Sequence, residues 1–302
     1  MKRRQFLQQS SILSGVLLGY PAFAYPNFKA HSDHLASSMV ELRNGVGYFI
    51  GRGGTIGWLI SKDGMVAVDS QFPDTASNFI SLASEKLEAP FSTLINTHHH
   101  FDHTSGNIAF KGLAEKVIGH KNALSNQEAV AQNRSNTESQ WLINSTFEDQ
   151  IQIKVGNQKI TNYYFGAAHT NGDIVVHFEE ANIAHLGDLV FNRRFPYIDK
   201  SAGASIENWI QVLAKIRGSF DQDTLYIFGH SDNGYNITGT AEDLLAFQNY
   251  LTLMLEFVAK SKRQGKSLED LKAEVKYIPG AEEWKGNGIE RSFDAAFMEL
   301  EE

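Results

Sequence analysis

The chain has 302 residues, 35 acidic against 27 basic side chains, a formal net charge of −8 and no cysteine. That balance repels phosphate backbones, and no Lys/Arg cluster marks a strip for nucleic acid. Without cysteine there are no disulfides and no thiolate ligand or nucleophile, and the length suits one large domain carrying its own core.

In chain order, Lys2-Arg3-Arg4 opens a charged stretch, Ile12 to Tyr20 is apolar, and Ala22-Phe23-Ala24 follows as a small-x-small site. This is the layout of a cleaved export signal. The apolar run is far shorter than the ~17–25 residues that span a bilayer, so nothing here implies stable membrane insertion after cleavage. Arg3-Arg4 with Phe6-Leu7 resembles a twin-arginine signal, which implies a periplasmic destination. Residues 1–24 are therefore set apart, and 25–302 are expected to form the domain.

Val46–Ile50 and Thr55–Ile60 read as strands around a Gly51–Gly54 turn, with Met65–Asp69 as a third. Pro73–Glu88 has helical apolar spacing, and Phe91–Asn96 is the next strand. Thr104–Glu115, Lys121–Asn133 and Asn136–Ser145 read as helices, with Val117-Ile118 a short strand. A β-rich half follows, at Phe147–Val155, Lys159–Phe165, Asp173–Phe178 and Ile183–Val190. Ser205–Arg217 is a helix, Leu225–Phe228 the last strand, and Thr240–Lys260 and Ser267–Val275 are helices of a C-terminal extension, 240–302, of the same domain.

The strand at 91–96 runs into His98-His99-His100-Phe101-Asp102-His103. Read as His-x-His-x-Asp-His, this loop packs four metal-competent side chains into six residues, an N/O set suited to Zn²⁺. One short loop cannot close a metal shell, so partners must come from elsewhere. His169, Asp188 and His230 each stand at the end of an apolar run followed by turn residues. Sites on α/β sheets collect at such strand ends. His99 lies between two ligand positions and reads as structural. His120, His177 and His185 read as hydrogen-bonded interior groups, His31 and His34 as solvated, and Asp173 as a turn or supporting residue.

With Asp69 ending Met65-Val66-Ala67-Val68, these five motifs in this order resemble the metallo-β-lactamase-fold hydrolase superfamily over about residues 40 to 235. The resemblance implies an αββα sandwich, two mixed sheets face to face with helices outside. It also implies a dinuclear zinc site, iron or manganese being the other metals such sites take. His98, His100 and His169 would hold one ion, Asp102, His103 and His230 the other, and Asp188 would bridge them. Asp69 would hold the loop rather than bind metal.

An aspartate at 188 resembles the glyoxalase II and lactonase branch rather than β-lactamases with a cysteine ligand. The expected activity is hydrolysis of a small ester, thioester, lactone or amide by a metal-bridging hydroxide, with Asp102 orienting it and handling its proton. A β-lactamase without a cysteine ligand, a one-iron oxygenase of the persulfide dioxygenase type, and a protein that only stores or senses zinc are the alternatives. Two segments are candidate pocket walls: Phe191–Tyr197, whose Arg193 or Arg194 could hold a substrate carboxylate, and a hairpin at Phe49–Gly54.

Overall fold

The computed structural model describes residues 38–134 and 140–301. The expected export signal, 1–24, lies outside the described residues.

One sheet has seven strands in the order β1 to β7: Ser38–Arg43, Val46–Ile50, Ile56–Ser61, Gly64–Val68, Phe91–Ile95, Val117–His120 and Ser145–Phe147. Its first four strands are antiparallel, and β4 to β7 are parallel. The second sheet takes β8 (Gln150–Val155), β9 (Gln158–Tyr163), β10 (Val175–Phe178), β11 (Ile183–His185), β13 (Leu225–Ile227) and β15 (Thr238–Gly239). A two-stranded ladder joins β12 (Phe191–Asn192) to β14 (His230–Ser231). The helices are α1 (Pro73–Lys86), the single turns α2 (Phe101–Thr104) and α3 (Asn107–Phe110), α4 (Lys121–Arg134), α5 (Ile206–Ser219), α6 (Ala241–Arg263), α7 (Leu268–Glu274) and α8 (Ile289–Glu299).

Side-chain alternation along the strands builds three apolar layers. In β4, Val66 and Val68 point between the sheets with Leu59, Ile95 and Ile118, and meet Ile160, Val176, Ile183 and Ile227 of the second sheet. Met65 and Ala67 point the other way, under Ala76, Phe79 and Ala83 of α1. Val175, Ala184 and Tyr226 face outward from the second sheet onto Trp209, Val212 and Leu213 of α5 and Leu244, Phe247 and Leu251 of α6. The expected αββα sandwich is the observed one. The C-terminal helices share that third layer, since Phe293 of α8 is in it.

Several expectations change. The helix expected over 104–115 is two single turns, because Gly106 lies against Ser70 and Ala76 with no room for a Cβ and its N–H donates to Gln71 O. Residues 140–144 are irregular rather than helical: Ile143 N donates to Gln127 Oε1 and Asn144 N to Val117 O, which leads the chain into β7. The rest of that expected helix, 135–139, lies outside the described residues. The strand expected over 147–155 breaks at Glu148-Asp149 and serves both sheets. Ile183–Val190 is a three-residue strand followed by a 3₁₀ turn, Gly187–Leu189, opened by Gly187 at φ +50°. Strands β1, β12, β14 and β15 and helix α8 were not anticipated, so the strand at Leu225–Ile227 is not the last one.

Candidate metal centre

Parallel β4 and β5 end side by side, so Asp69 meets the loop that follows β5. Its carboxylate accepts from Thr97 N at 2.8 Å, Thr97 Oγ1 at 2.7 Å and His103 Nδ1 at 2.7 Å. Asp69 is fully buried at φ +63°, a left-handed conformation that costs an aspartate about 1–3 kcal/mol. Three hydrogen bonds to a carboxylate, at ~1.5–3 kcal/mol each, offset that strain. Both Asp69 oxygens are thereby engaged, so it positions the loop.

The loop and two strand ends bring together His98 Nε2, His100 Nδ1, His169 Nε2 and an oxygen of Asp188. His100 Nδ1 is 3.1 Å from His98 Nε2 and 2.9 Å from His169 Nε2, and Asp188 Oδ2 is 3.4 Å from His169 Nε2. The outer nitrogen of each ring has its own acceptor. His98 Nδ1 lies 3.0 Å from Thr97 Oγ1, His100 Nε2 donates to Asp199 Oδ2 at 2.9 Å, and His169 Nδ1 donates to Tyr197 O at 2.6 Å. With the N–H outward, each inner nitrogen presents a lone pair. Burial favours that neutral form, pushing His169 down to about 4 and His98 well below its usual value.

A second group gathers Asp102, His103 and His230. His230 Nε2 is 3.1 Å from Asp102 Oδ2 and 3.5 Å from Asp188 Oδ1, while His103 Nε2 is 3.0 Å from Asp188 Oδ1. Asp188 thus turns Oδ2 to the first group and Oδ1 to the second. Burial would raise its pKa, but His230 and His103 outweigh burial and hold the carboxyl well below its usual range. The His103 ring is disfavoured as a cation by burial, yet Asp188, Asp69 and Asp102 together raise it well above its usual value. Gly229 packs against Asp188 and Gly54 against the His103 ring, each with no space for a Cβ. His230 stacks on Phe191 at 5.5 Å.

These residues fit a metal pair. Asp188 Oδ1 is buried without a hydrogen-bond partner although two imidazole nitrogens lie close. Burying a carboxylate costs several kcal/mol unless cations surround it. Three imidazoles with inward lone pairs in the first group, His103, His230 and Asp102 in the second, and one carboxylate turned both ways supply ligands for two divalent ions.

All seven expected ligand positions therefore fall in these two adjoining groups. His99 falls in neither: it is buried, 3.8 Å from Asp199 Oδ2, with Nδ1 unpartnered. His120 donates to Glu148 O and stacks on Tyr164 at 3.8 Å, and His185 donates to Thr55 O. Asp173 accepts from Thr170 N and Oγ1. The Gly51–Gly54 turn lies at the site, pinned where Gly54 N donates to Asp102 O. Arg193 is committed elsewhere, 3.3 Å from Asp243 Oδ1 and 4.8 Å over the Trp284 ring. Sequence reasoning missed Asp199 and Thr97, and it placed Tyr197 only in a candidate pocket wall, not behind His169. Thr97 was open to discovery beside the histidine loop, whereas no spacing rule points to the other two.

A family model described as the metallo-beta-lactamase superfamily matches residues 74–230. A "Metallo-beta-lactamase type 2" of Elizabethkingia meningoseptica is 24% identical over 206 residues, 68% of this chain and 76% of the relative. Among solved structures, a metallo-beta-lactamase from Pontibacter korlensis aligns with a TM-score of 0.60 at 17% identity, covering 72% of this chain and 99% of that one. A double mutant of the sec-alkyl sulfatase PisA1 aligns with a TM-score of 0.68 at 13% identity, covering 87% of this chain and 50% of that one. At such identities these structures establish likeness of fold. The coverage by the sulfatase is more than residues 1–240 alone can supply, so that likeness extends into the C-terminal helices.

Proposed function

The chain belongs to the metallo-beta-lactamase superfamily and is a metal-dependent hydrolase; from that premise we propose a dinuclear zinc enzyme that cleaves a small ester, thioester, lactone or amide. The observation that carries the reading is Asp188, a buried carboxylate with one oxygen toward each histidine group. His98, His100 and His169 would hold one ion, and Asp102, His103 and His230 the other. Two divalent ions bound there supply a water acidic enough to ionise near neutral pH and a Lewis acid for the substrate oxygen.

The chain's own residues orient and deprotonate. Asp102 has a side chain 35% exposed, against 5% for Asp188, so it is the carboxylate that an incoming water meets. Its pKa is raised by burial, but His103 and His230 outweigh this and keep it ionised. Ionised, it can accept a hydrogen bond from the attacking water and orient it, and its exposed place makes it the carboxylate we assign to receive the proton. Asp69, Thr97, Asp199 and Tyr197 O hold the imidazoles in the tautomer that leaves lone pairs inward.

β-Lactam hydrolysis is the second reading, favoured by the similarity to type 2 metallo-beta-lactamases. Asp188 rather than a cysteine at the shared position favours the ester, thioester or lactone side. Metal analysis of the purified mature protein, with a hydrolytic panel that includes β-lactams, separates these readings. Two zinc ions per chain with turnover support hydrolysis. One iron per chain points to oxygen chemistry, and full metal without turnover on any substrate points to a binding protein.

Export to the periplasm belongs to the same proposal. It rests on Lys2-Arg3-Arg4 and the apolar stretch behind it. Replacing Arg3 and Arg4 by lysine should strand precursor in the cytoplasm; undiminished export would rule out the twin-arginine route.

A further inference from the structure

The segment 199–205 wraps around His169. Asp199 N donates to His169 O at 3.1 Å, Ser205 N to Ala168 O at 3.1 Å, and Ala202 O accepts from Asn171 N at 2.9 Å. From the same segment, Asp199 Oδ2 takes the outer N–H of His100 at 2.9 Å. Two histidines of the first group are therefore held by one stretch of chain, His169 through its backbone and His100 through its ring. That stretch is a 3₁₀ turn, Lys200–Ala202, running into α5. Short 3₁₀ turns have poor hydrogen-bond geometry of their own, so its position has to be set from outside.

Helix α8 supplies that anchor through Glu299. Its Oε1 accepts from Ser205 Oγ at 2.9 Å and Glu207 N at 3.0 Å, and its Oε2 from Lys200 Nζ at 2.9 Å. The ion pair is buried, the Glu299 side chain being 6% exposed and that of Lys200 11%. Burial would raise the carboxyl pKa, but Lys200, the N–H groups of Glu207 and Ile206, and Ser205 outweigh it and hold the group below its usual range. One ionised carboxylate thus joins positions 200 and 205 to the first turn of α5, where the helix dipole favours an anion. Two turns earlier on the same face of α8, Ser292 Oγ donates to Pro196 O at 3.2 Å, next to the Tyr197 O that takes His169 Nδ1 at 2.6 Å. Phe293 ties α8 into the third apolar layer, which gives both contacts a fixed base.

We propose that Glu299 is a positioning residue for the first ion: by clamping the segment 199–205 from the last helix, it fixes the imidazoles of His100 and His169. The inference rests on the dinuclear reading above and gives the C-terminal extension a part in it. Metal sites tolerate only about 0.2 Å in ligand distance, so a small drift of this segment costs affinity at the first group. The second group is held from other elements, His103 by Asp69 at 2.7 Å and His230 by the ladder of β14 with β12. Loss of the clamp is therefore felt by one ion and not by the other.

The test strips the full chain of metal and titrates it with Co²⁺ against a chelator. The ring N–H protons of cobalt-bound histidines are paramagnetically shifted, from three rings in the first group and two in the second, which tells the ions apart. Lys200→Met with Glu299→Leu removes the clamp without leaving a buried charge, a replacement that folded proteins tolerate. Lys200→Met with Glu299→Gln also removes the ion pair but keeps an amide oxygen for Ser205 Oγ and Glu207 N. The leucine variant should bind the first ion about tenfold more weakly, the low end for losing a partner behind a ligating histidine, and the second ion unchanged. Glu299→Asp, which keeps the charge beside Lys200 but falls a methylene short of Ser205 and Glu207, should show the same selective loss. The glutamine variant should bind both ions as the unaltered protein does. Unchanged affinity for the first ion in the leucine and aspartate variants, equal weakening of both ions, or a glutamine variant no better than the leucine one would overturn the inference. The number of Co²⁺ ions taken up by the unaltered protein reports separately on the dinuclear reading, because the first ion alone carries the comparison.

Discussion

Asp199 Oδ2 lies 2.9 Å from His100 Nε2, on the side of the ring opposite the nitrogen that faces His98 and His169. The carboxylate is itself held by Ser201 Oγ at 2.5 Å and Ala202 N at 3.2 Å. Burial would raise its pKa, but the hydrogen bond from His100 outweighs this and keeps it below the usual carboxylate range. An acceptor this fixed sets both the angle and the tautomer of His100.

Asp199→Ala should therefore weaken zinc binding at the first group by about ten- to a hundredfold, the range for removing a partner behind a ligating histidine. Competition titration against a chelator measures this. Unchanged affinity for both ions would mean that packing alone orients His100.

Asp188→Ala tests the shared carboxylate. Without it the two groups lose their common anion and two cations would face each other unscreened. Metal content should fall below two per chain and activity should fall with it. A variant that keeps both ions and normal turnover contradicts the bridging role.

Much of this centre was legible because its chemistry is local. Four donors occupy one six-residue loop, and His169, Asp188 and His230 each end an apolar run, which a period-two pattern exposes. What stayed hidden depends on tertiary contact. Leu186, Leu189 and Val190 are all buried, so the 3₁₀ turn that aims Asp188 is indistinguishable from continuing strand. Asp199 sits in irregular chain and gains its role only because His100 comes to it. Gly106 breaks a helical pattern through its contact with Ser70 and Ala76, residues thirty or more positions away. Helix α8 is short and follows Gly286 and Gly288, and its burial against α6 gives it stability that intrinsic propensity does not.

Gly54→Ala probes the second group from beneath. A Cβ at 54 would collide with the His103 ring, and that ring cannot retreat because Asp69 holds its far nitrogen at 2.7 Å. Overpacking of this kind costs about 1–3 kcal/mol. The expected result is a protein that binds close to one zinc, through His98, His100 and His169, with a lowered urea midpoint. Full double occupancy would show that the loop carrying Gly54 shifts instead.

Asp102→Asn separates ligation from proton handling. Asparagine preserves the size and one oxygen, so His230, 3.1 Å from Asp102 Oδ2, keeps a neighbour and the second group keeps a donor. It cannot accept a proton, so turnover should fall by about 10²–10⁴-fold, the contribution of a positioned general base, with little change in substrate affinity. Partial metal loss would lower the rate as well, but by a different route: it removes a fraction of active molecules and disappears when rates are divided by occupancy. The comparison is therefore kcat per doubly loaded chain, measured with metal content on the same sample. A fully loaded Asp102→Asn protein at near-normal kcat would leave Asp102 as a ligand alone. Asp188 would not inherit the proton, because its side chain is 5% exposed against 35% for Asp102 and so does not meet the incoming water.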